Sequence, residues 1–273
     1  MKTDNCRVCG SGEYRPVVEF EGFNYVKCAC GVERMSGYPA PDEIKEFYES
    51  GYMEKKFNNL GHHLHFKPEY REAYFAEKDL TFSDLKMDLA KYKGKRLLDV
   101  GCANGQFIEY TDRFGIKGEG IDISGDMIEA ARRSGLNCRV EDLFDVKGEY
   151  DLVTFWDVIE HVLNPKEMIE KTESLLARGG EIIIQTPCTG MVSELFADKW
   201  LYYLPVQHIH LFSQEALFKL LSEGGLEVVS WVRFGSCNPK GSIPDVNKRA
   251  IDGIVKRLGI GDTMVVRARR IDN

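Results

Sequence analysis

The chain has 273 residues, 43% of them hydrophobic, enough to bury one substantial core with a small appendage. Its net charge of -7 and pI near 5.5 argue against a large phosphate-binding surface, because non-specific nucleic-acid affinity comes from lysine and arginine releasing counterions. The opening MKTDNCRVCG lacks the apolar stretch of a signal peptide, and no apolar run approaches the ~18 residues of a spanning helix, so a cytoplasmic protein without a membrane partner is expected. Eight cysteines in a chain without an export signal point to reduced thiols. Four of them cluster (Cys6, Cys9, Cys28 and Cys30), which suggests metal; the scattered four read as small buried hydrophobes.

In chain order, residues 1–40 form a cysteine- and glycine-rich module with short β-like runs, YRPVVEF and FNYVKC. Residues 41–92 look helical, as a lid or linker. PDEIKEFYES opens on Pro41 and Asp42, and FKPEYREAYFAEKDLTFSDLKMDLAKY carries apolar residues at three- and four-residue steps. From Lys93 to the C-terminus, strand and helix alternate. RLLDVG is a buried strand ending in a glycine turn, GQFIEYTDRFG a helix closed by Gly115, and KGEGIDI the next strand. SGDMIEAARRSG is a helix capped by Ser124 and ended at Gly135; NCRV and YDLVTFWD are strands. A helix through PKEMIEKTESLLARGG, the strand EIIIQTP, the helix SQEALFKLLSEGG and the strand LEVVSWVRF follow. A polar, glycine-containing stretch then leads to a last strand, MVVRARR. The alternation predicts an α/β fold, a mostly parallel sheet with crossover helices.

Chemistry concentrates where the strands end. In Leu97-Leu98-Asp99-Val100-Gly101-Cys102-Ala103-Asn104-Gly105 an apolar strand runs into a loop whose glycines let backbone approach a ligand closely. The dinucleotide fingerprint needs a third glycine; the positions concerned hold Ala103 and Gln106, so that match fails. Asp99, ahead of the first glycine, is hostile to a pyrophosphate but not to a cation. Asp122, ending the next strand before Ile123, is placed to accept both ribose hydroxyls of a nucleoside, although an acidic residue there also suits a helix cap. Asp142-Leu143 ends the third strand, where a carboxylate can accept an adenine amino group, or simply face water. The three pieces follow three successive strands in order.

LLDVGCANG, GIDIS, YDLVTFWDVIEHVLNP and LLARGGEIIIQTP together resemble the successive motifs of class I S-adenosylmethionine-dependent methyltransferases, over residues 93–273. The resemblance implies a doubly wound, mostly parallel seven-stranded sheet with an antiparallel last strand. It implies that Gly101, Cys102, Ala103, Asn104 and Gly105 line the methionine end of the cofactor, Asp122 and Ile123 the ribose, and Asp142 and Leu143 the adenine. Trp156 and Asp157 would end the fourth strand beside the sulfonium. Ala103 stands where the family usually has glycine. The D-V-x-E-H-V-x-x-P and GG-x-I-x-I-x-T-P stretches resemble the subgroup acting on small molecules such as sugars and quinone precursors. The expected reaction is an in-line displacement on an electrophilic methyl, needing an oriented acceptor and a base, with no metal required at the reacting centre.

For the acceptor side, two histidine-bearing segments point at the same rim: Glu160-His161, and Gln207-His208-Ile209-His210-Leu211-Phe212-Ser213. Histidine titrates near neutrality and is the natural general base. His208 is the first candidate, with His210 on the same face if the segment is extended, and His161 the second, which capping alone also explains. H-x-x-x-F-S resembles the acceptor loop of sugar methyltransferases, some of which use a Glu-His pair; Gln207 replaces that glutamate, which favours deprotonation of a hydroxyl or amine over carbon methylation. His62, His63 and His65 read as a polar loop, and Arg71 with Tyr48, Tyr52, Tyr70 and Tyr74 as lid or core.

The cysteines form C-x2-C, a gap of eighteen residues, then C-x-C-G, two thiolate pairs that suit tetrahedral zinc. With the Y-P-x-P that follows, this resembles the N-terminal zinc ribbon of natural-product and sugar methyltransferases, and implies a structural ion. Two alternatives remain at this point: a zinc-ribbon RNA methyltransferase, disfavoured by the acidic charge, and a non-catalytic S-adenosylmethionine-binding partner protein.

Overall fold

A computed structural model describes residues 4–49, 68–237 and 245–271; Tyr52, His62, His63 and His65 lie outside the described residues, as does the side chain of Tyr48. The cysteine module is an antiparallel meander of β1 (Tyr14–Phe20), β2 (Phe23–Cys28) and β3 (Glu33–Met35), on the two runs marked by their alternation. Then come α1 (Pro41–Glu49) and α2 (Arg71–Asp84).

The strand–helix alternation from Arg96 onward forms β4 (Arg96–Val100), α3 (Gln106–Asp112), β5 (Lys117–Asp122), α4 (Gly125–Arg133), β6 (Cys138–Val140) and β7 (Tyr150–Trp156). After it come α5 (Pro165–Leu175), β8 (Leu176–Thr189), α6 (Met191–Phe196), β9 (His210–Ser213), α7 (Gln214–Glu223), β10 (Leu226–Phe234), α8 (Asp245–Leu258) and β11 (Thr263–Arg270). Seven strands lie in the order β6-β5-β4-β7-β8-β11-β10, with β11 antiparallel to both neighbours. The fold is the doubly wound, mostly parallel seven-stranded sheet. Its two faces are read directly from residue alternation: Ile182, Ile184, Met264 and Val266 pack with α5 and α7, whereas Ile183 and Val265 pack with α2, α3 and α4.

The cysteine module is stitched onto this sheet. The far end of β8 pairs in parallel with β9 (Cys188 opposite Phe212), and β9 pairs antiparallel with β3 (Arg34 opposite His210). Among the described residues, eleven strands thus form one hydrogen-bonded system.

Two boundaries differ from expectation. The helix expected through PKEMIEKTESLLARGG ends at Leu175, because Leu176 turns extended and pairs with Tyr150 of β7. The stretch before the last strand contains α8. Its Ile251 and Val255 pack against the cysteine-module core, and Lys256 pairs with Asp84 of α2 at 2.5 Å.

Candidate active site

The carboxyl edges of β4, β5, β6 and β7 carry the residues singled out in the sequence. After β4 the chain turns through left-handed backbone at Gly101 (φ 72°), Ala103 (φ 46°) and Gly105 (φ 80°). Side chains are excluded at the glycines: a Cβ at Gly101 would lie 2.6 Å from Val158 Cγ2, and one at Gly105 2.7 Å from Leu136 Cδ1. Ala103 carries its Cβ in this region at a cost of about 1–2 kcal/mol. Its N–H donates to Asp122 Oδ2 at 2.9 Å, and Oδ1 of the same carboxylate accepts from Ser124 N at 2.8 Å. Ser124 caps α4 through Met127 N. Each carboxylate oxygen retains a second lone pair, so these bonds aim Asp122 without exhausting it. Beside it Ile123 is 74% exposed, an apolar side chain with nothing packed over it. Asp142 accepts from Phe144 N at 2.9 Å, which sets up the turn that buries Leu143.

At the end of β7 the polar groups are short of partners. Asn104 Oδ1, Trp156 Nε1 and Gln185 Oε1 are buried without a hydrogen bond among the described residues. Such atoms normally find a partner, so this edge fits a polar ligand. Asp157, also left-handed (φ 56°), accepts from Gln185 Nε2 at 2.7 Å. Asp99 is buried and accepts from Thr154 Oγ1 at 2.7 Å. Burial pushes its carboxyl up to about 7, against the pull of the Thr154 bond and the Lys78 ammonium.

The acceptor-side histidines do not share one environment. His161 and His208 come together, ring centroids 5.0 Å apart. Nδ1 of His161 meets Gln207 O at 2.9 Å, and Nδ1 of His208 meets Tyr202 O at 2.8 Å. A carbonyl accepts only, so both Nδ1 atoms carry a proton. Burial lowers the His161 pKa, keeping the ring neutral. His210 is instead enclosed, its Nδ1 against Val162 O at 3.1 Å and its Nε2 against Tyr38 OH at 3.2 Å. A turn at Val206 (φ 69°) precedes His208, and β9 starts only at His210.

Three polar residues that sequence reasoning left out of the site join it. Glu160 is fully buried and takes Thr186 Oγ1 at 3.0 Å; burial, then Asp157, raises its pKa well above the carboxylate range. Its carboxyl, His161 and His208 bring donor atoms within 4.8 Å of one another, a set with metal-ligating chemistry. Gln185 and Lys78 are the other two. Gln185 gave no signal inside a buried strand. Lys78 did: it interrupts the apolar stripe Phe75, Phe82 at helical spacing.

In the cysteine module the four Sγ atoms lie within 4.8 Å of one another, with Cys6–Cys30 at 3.9 Å and Cys9–Cys28 at 3.4 Å. A tetrahedral site with Zn–S of ~2.3 Å has S···S edges of about 3.8 Å, so the donor set fits zinc. The Cys30 thiol, donating to Cys6, pulls Cys6 down to about 5 and is itself pushed up. Thiolate character is what a metal needs.

The profile of a family described as "Methyltransferase domain" matches residues 69–231. The chain belongs to this methyltransferase-domain family. Among curated proteins it is 32% identical over 117 residues to a ubiquinone biosynthesis O-methyltransferase of Xanthomonas oryzae, covering 39% of this chain and 48% of the relative. A ubiquinone biosynthesis O-methyltransferase of Vibrio cholerae is 29% identical over 176 residues, covering 56% and 72%. The chain spans about half the length of the first of these relatives. A solved SAM-dependent methyltransferase from Archaeoglobus fulgidus shares the fold at a TM-score of 0.53 and 19% identity, covering 73% of this chain and 94% of that one. A magnesium protoporphyrin IX methyltransferase from Synechocystis with bound SAH does so at 0.50 and 18%, covering 74% and 83%.

Proposed function

We propose that this chain transfers a methyl group from S-adenosylmethionine to a hydroxyl, or less readily an amine, of a small organic acceptor. The observation that carries the reading is the pairing of two imidazoles, His161 and His208, beside the end of β7, each with its Nδ1 held by a backbone carbonyl. The cofactor, when bound, supplies an electrophilic methyl on a sulfonium. What the chain adds is position and a proton acceptor.

The left-handed loop Gly101–Gly105 would hold the methionine end, Asp122 and Ile123 the ribose, and Asp142 with Leu143 the adenine. Trp156 and Asp157 would flank the sulfonium. His208 is the base, with His161 and the neutral Glu160 ordering the proton path; His210, walled in by Tyr38 and Val162, is a framework residue. Relatives named as O-methyltransferases favour oxygen as the atom methylated, and Gln207 in place of a second acid agrees. Tyr202 stacks near His208 at 6.0 Å, as an aromatic wall for an organic acceptor. Zinc on Cys6, Cys9, Cys28 and Cys30 would be structural, fixing β3 and through it β9 and His208.

Neither alternative gains support. The basic residues of the cysteine module, Arg7, Arg15, Lys27 and Arg34, are matched by Asp4, Glu13, Glu19, Glu21 and Glu33, with Lys27 tied to Glu33 and Arg34 buried, and a pure binding protein has no use for two oriented imidazoles. No helix among the described residues is long and apolar enough to cross a membrane. The test is binding of S-adenosylhomocysteine by calorimetry, followed by methyl transfer from labelled cofactor to a panel of phenols, sugar hydroxyls and amines. Binding without turnover of any hydroxyl or amine would overturn the reaction assigned.

A further inference from the structure

The segment that carries His208 is irregular. From Trp200 it passes a left-handed turn at Val206 (φ 69°) and reaches β9 only at His210. A segment of this kind takes its geometry from the framework that holds it. Here that framework is the head of β11, a strand paired on both sides, with β8 and β10. Two consecutive residues there reach the segment. The Asp262 carboxylate accepts from Trp200 Nε1 at 3.1 Å, and the hydroxyls of Thr263 and Tyr202 share a hydrogen bond at 3.1 Å.

Asp262 is itself fixed from behind. Its N–H donates to Gly235 O at 3.3 Å, and its carbonyl accepts from Cys188 N at 2.8 Å. The residue before it is held as well, by the buried Arg233, whose Nε donates to Gly261 O at 2.8 Å. Gly235 is left-handed (φ 76°), and a Cβ there would lie 3.1 Å from Asp262 Oδ1, so the carboxylate's room depends on glycine. Asp262 is 3% exposed and Trp200 1%. Burial pushes the Asp262 pKa up, against the Trp200 bond. A dry carboxylate facing a neutral indole costs stability that an apolar pair of the same shape would not, so packing alone does not account for it.

Both groups through which Tyr202 meets His208 depend on this hold. Its carbonyl meets His208 Nδ1 at 2.8 Å, and its ring stacks near the imidazole with centroids 6.0 Å apart. The hydrogen bond at one ring nitrogen decides where the proton of a neutral imidazole sits. We propose that Asp262 and Thr263 are positioning residues for His208, holding Trp200 and Tyr202 so that the Tyr202 carbonyl keeps a proton on His208 Nδ1. A ring held in this way can take the acceptor's proton only at Nε2. The inference rests on His208 being the base of the proposed reaction.

The experiment is proton–nitrogen correlation NMR on the chain with isotopically labelled histidine, well above the ordinary histidine pKa of ~6.5. His208→Gln identifies the His208 signals, and the wild type is expected to show the Nδ1–H pattern. A hydrogen bond of ordinary strength weights one tautomer over the other about tenfold. Thr263→Val and Asp262→Ala are therefore expected to raise the Nε2–H form of His208 from a trace to a share comparable with Nδ1–H. Thr263→Ser keeps the hydroxyl and Asp262→Asn an accepting oxygen, so both should match the wild type. S-adenosylhomocysteine affinity should stay within about twofold throughout, which separates loss of this hold from general loosening. Thermal melting shows whether each variant is folded, and Thr263→Val carries the test if Asp262→Ala is not. An Nδ1–H pattern unchanged in the folded variants overturns the assignment. So does a wild-type His208 in the Nε2–H form, or a Thr263→Ser shift equal to that of Thr263→Val. Failure to methylate any hydroxyl or amine overturns the proposed reaction instead, and is read in a separate assay.

Discussion

The backbone N–H of Ala103 donates to Oδ2 of Asp122 at 2.9 Å, so the carboxylate proposed to receive the ribose also clamps the loop proposed to hold the methionine end. Two parts of one ligand site are therefore coupled through a single side chain.

The first prediction follows from that coupling. Asp122→Ala removes the ribose acceptor and releases the strained turn at Ala103 together. Charge-assisted hydrogen bonds contribute about 1.5–3 kcal/mol each, so S-adenosylhomocysteine affinity should fall at least ~10-fold. Asp122→Asn, which keeps one accepting oxygen for Ala103 N or Ser124 N, should fall less. Calorimetry decides it: unchanged affinity in Asp122→Ala would refute the ribose role.

The second concerns metal. The purified chain should carry one zinc, and Cys6→Ser combined with Cys28→Ser should carry none by elemental analysis. Because β3 pairs with β9, metal loss should also loosen amide protection at Leu211 and Phe212, not only in the cysteine module. Equal zinc in both proteins would refute the site.

Much of this was legible beforehand, for identifiable reasons. β1, β2 and β4 announce themselves by short runs between glycines and β7 by its apolar run YDLVTFW after Gly148, and α3 and α4 by the glycines Gly115 and Gly135 that end them in left-handed backbone. The helix α8 was hidden because its apolar residues, Ile251, Ile254, Val255 and Leu258, alternate with many charges and only part of them is buried. Lys78 and Glu160 were not placed in the site because burial of a charged group is a tertiary fact: nothing local says that Trp156 will close over a lysine. The attachment of the cysteine module through β9 is likewise non-local, a pairing of Arg34 with His210 across most of the chain.

His210 gives a pH dependence with a definite sign. It is fully buried and neutral, its pKa lowered to about 3, first by burial and then by Arg34 and Arg7, against the Val162 bond. The unfolded chain takes up a proton near 6.5 that the folded chain refuses until about 3. Stability from this group is therefore full above 6.5 and is lost as pH falls from there towards 3, by up to ~1.4 kcal/mol per unit. Denaturant titrations from pH 7.5 to 5 should show a shallower decline for His210→Gln than for wild type. Parallel slopes would mean that His210 is protonated in the fold.

His208, rather than His161, is expected to take the acceptor's proton. Both rings have Nδ1 fixed by a backbone carbonyl, which makes tautomer no basis for choosing. Their surroundings differ. His161 Nε2 lies 3.9 Å from Oε1 of the buried Glu160, so its lone pair is turned towards an acid. His208 stands on the segment between Trp200 and β9, which carries Tyr202, Tyr203 and Pro205 and walls the site. A positioned base typically contributes ~10²–10⁴ in rate, whereas the proposed cofactor contacts lie on other loops. His208→Ala should therefore lose turnover by that factor and bind S-adenosylhomocysteine as wild type does. His161→Ala should lose far less. Near-native turnover in His208→Ala alongside a large loss in His161→Ala would reverse the assignment, with the proton then passing to the residue beside Glu160.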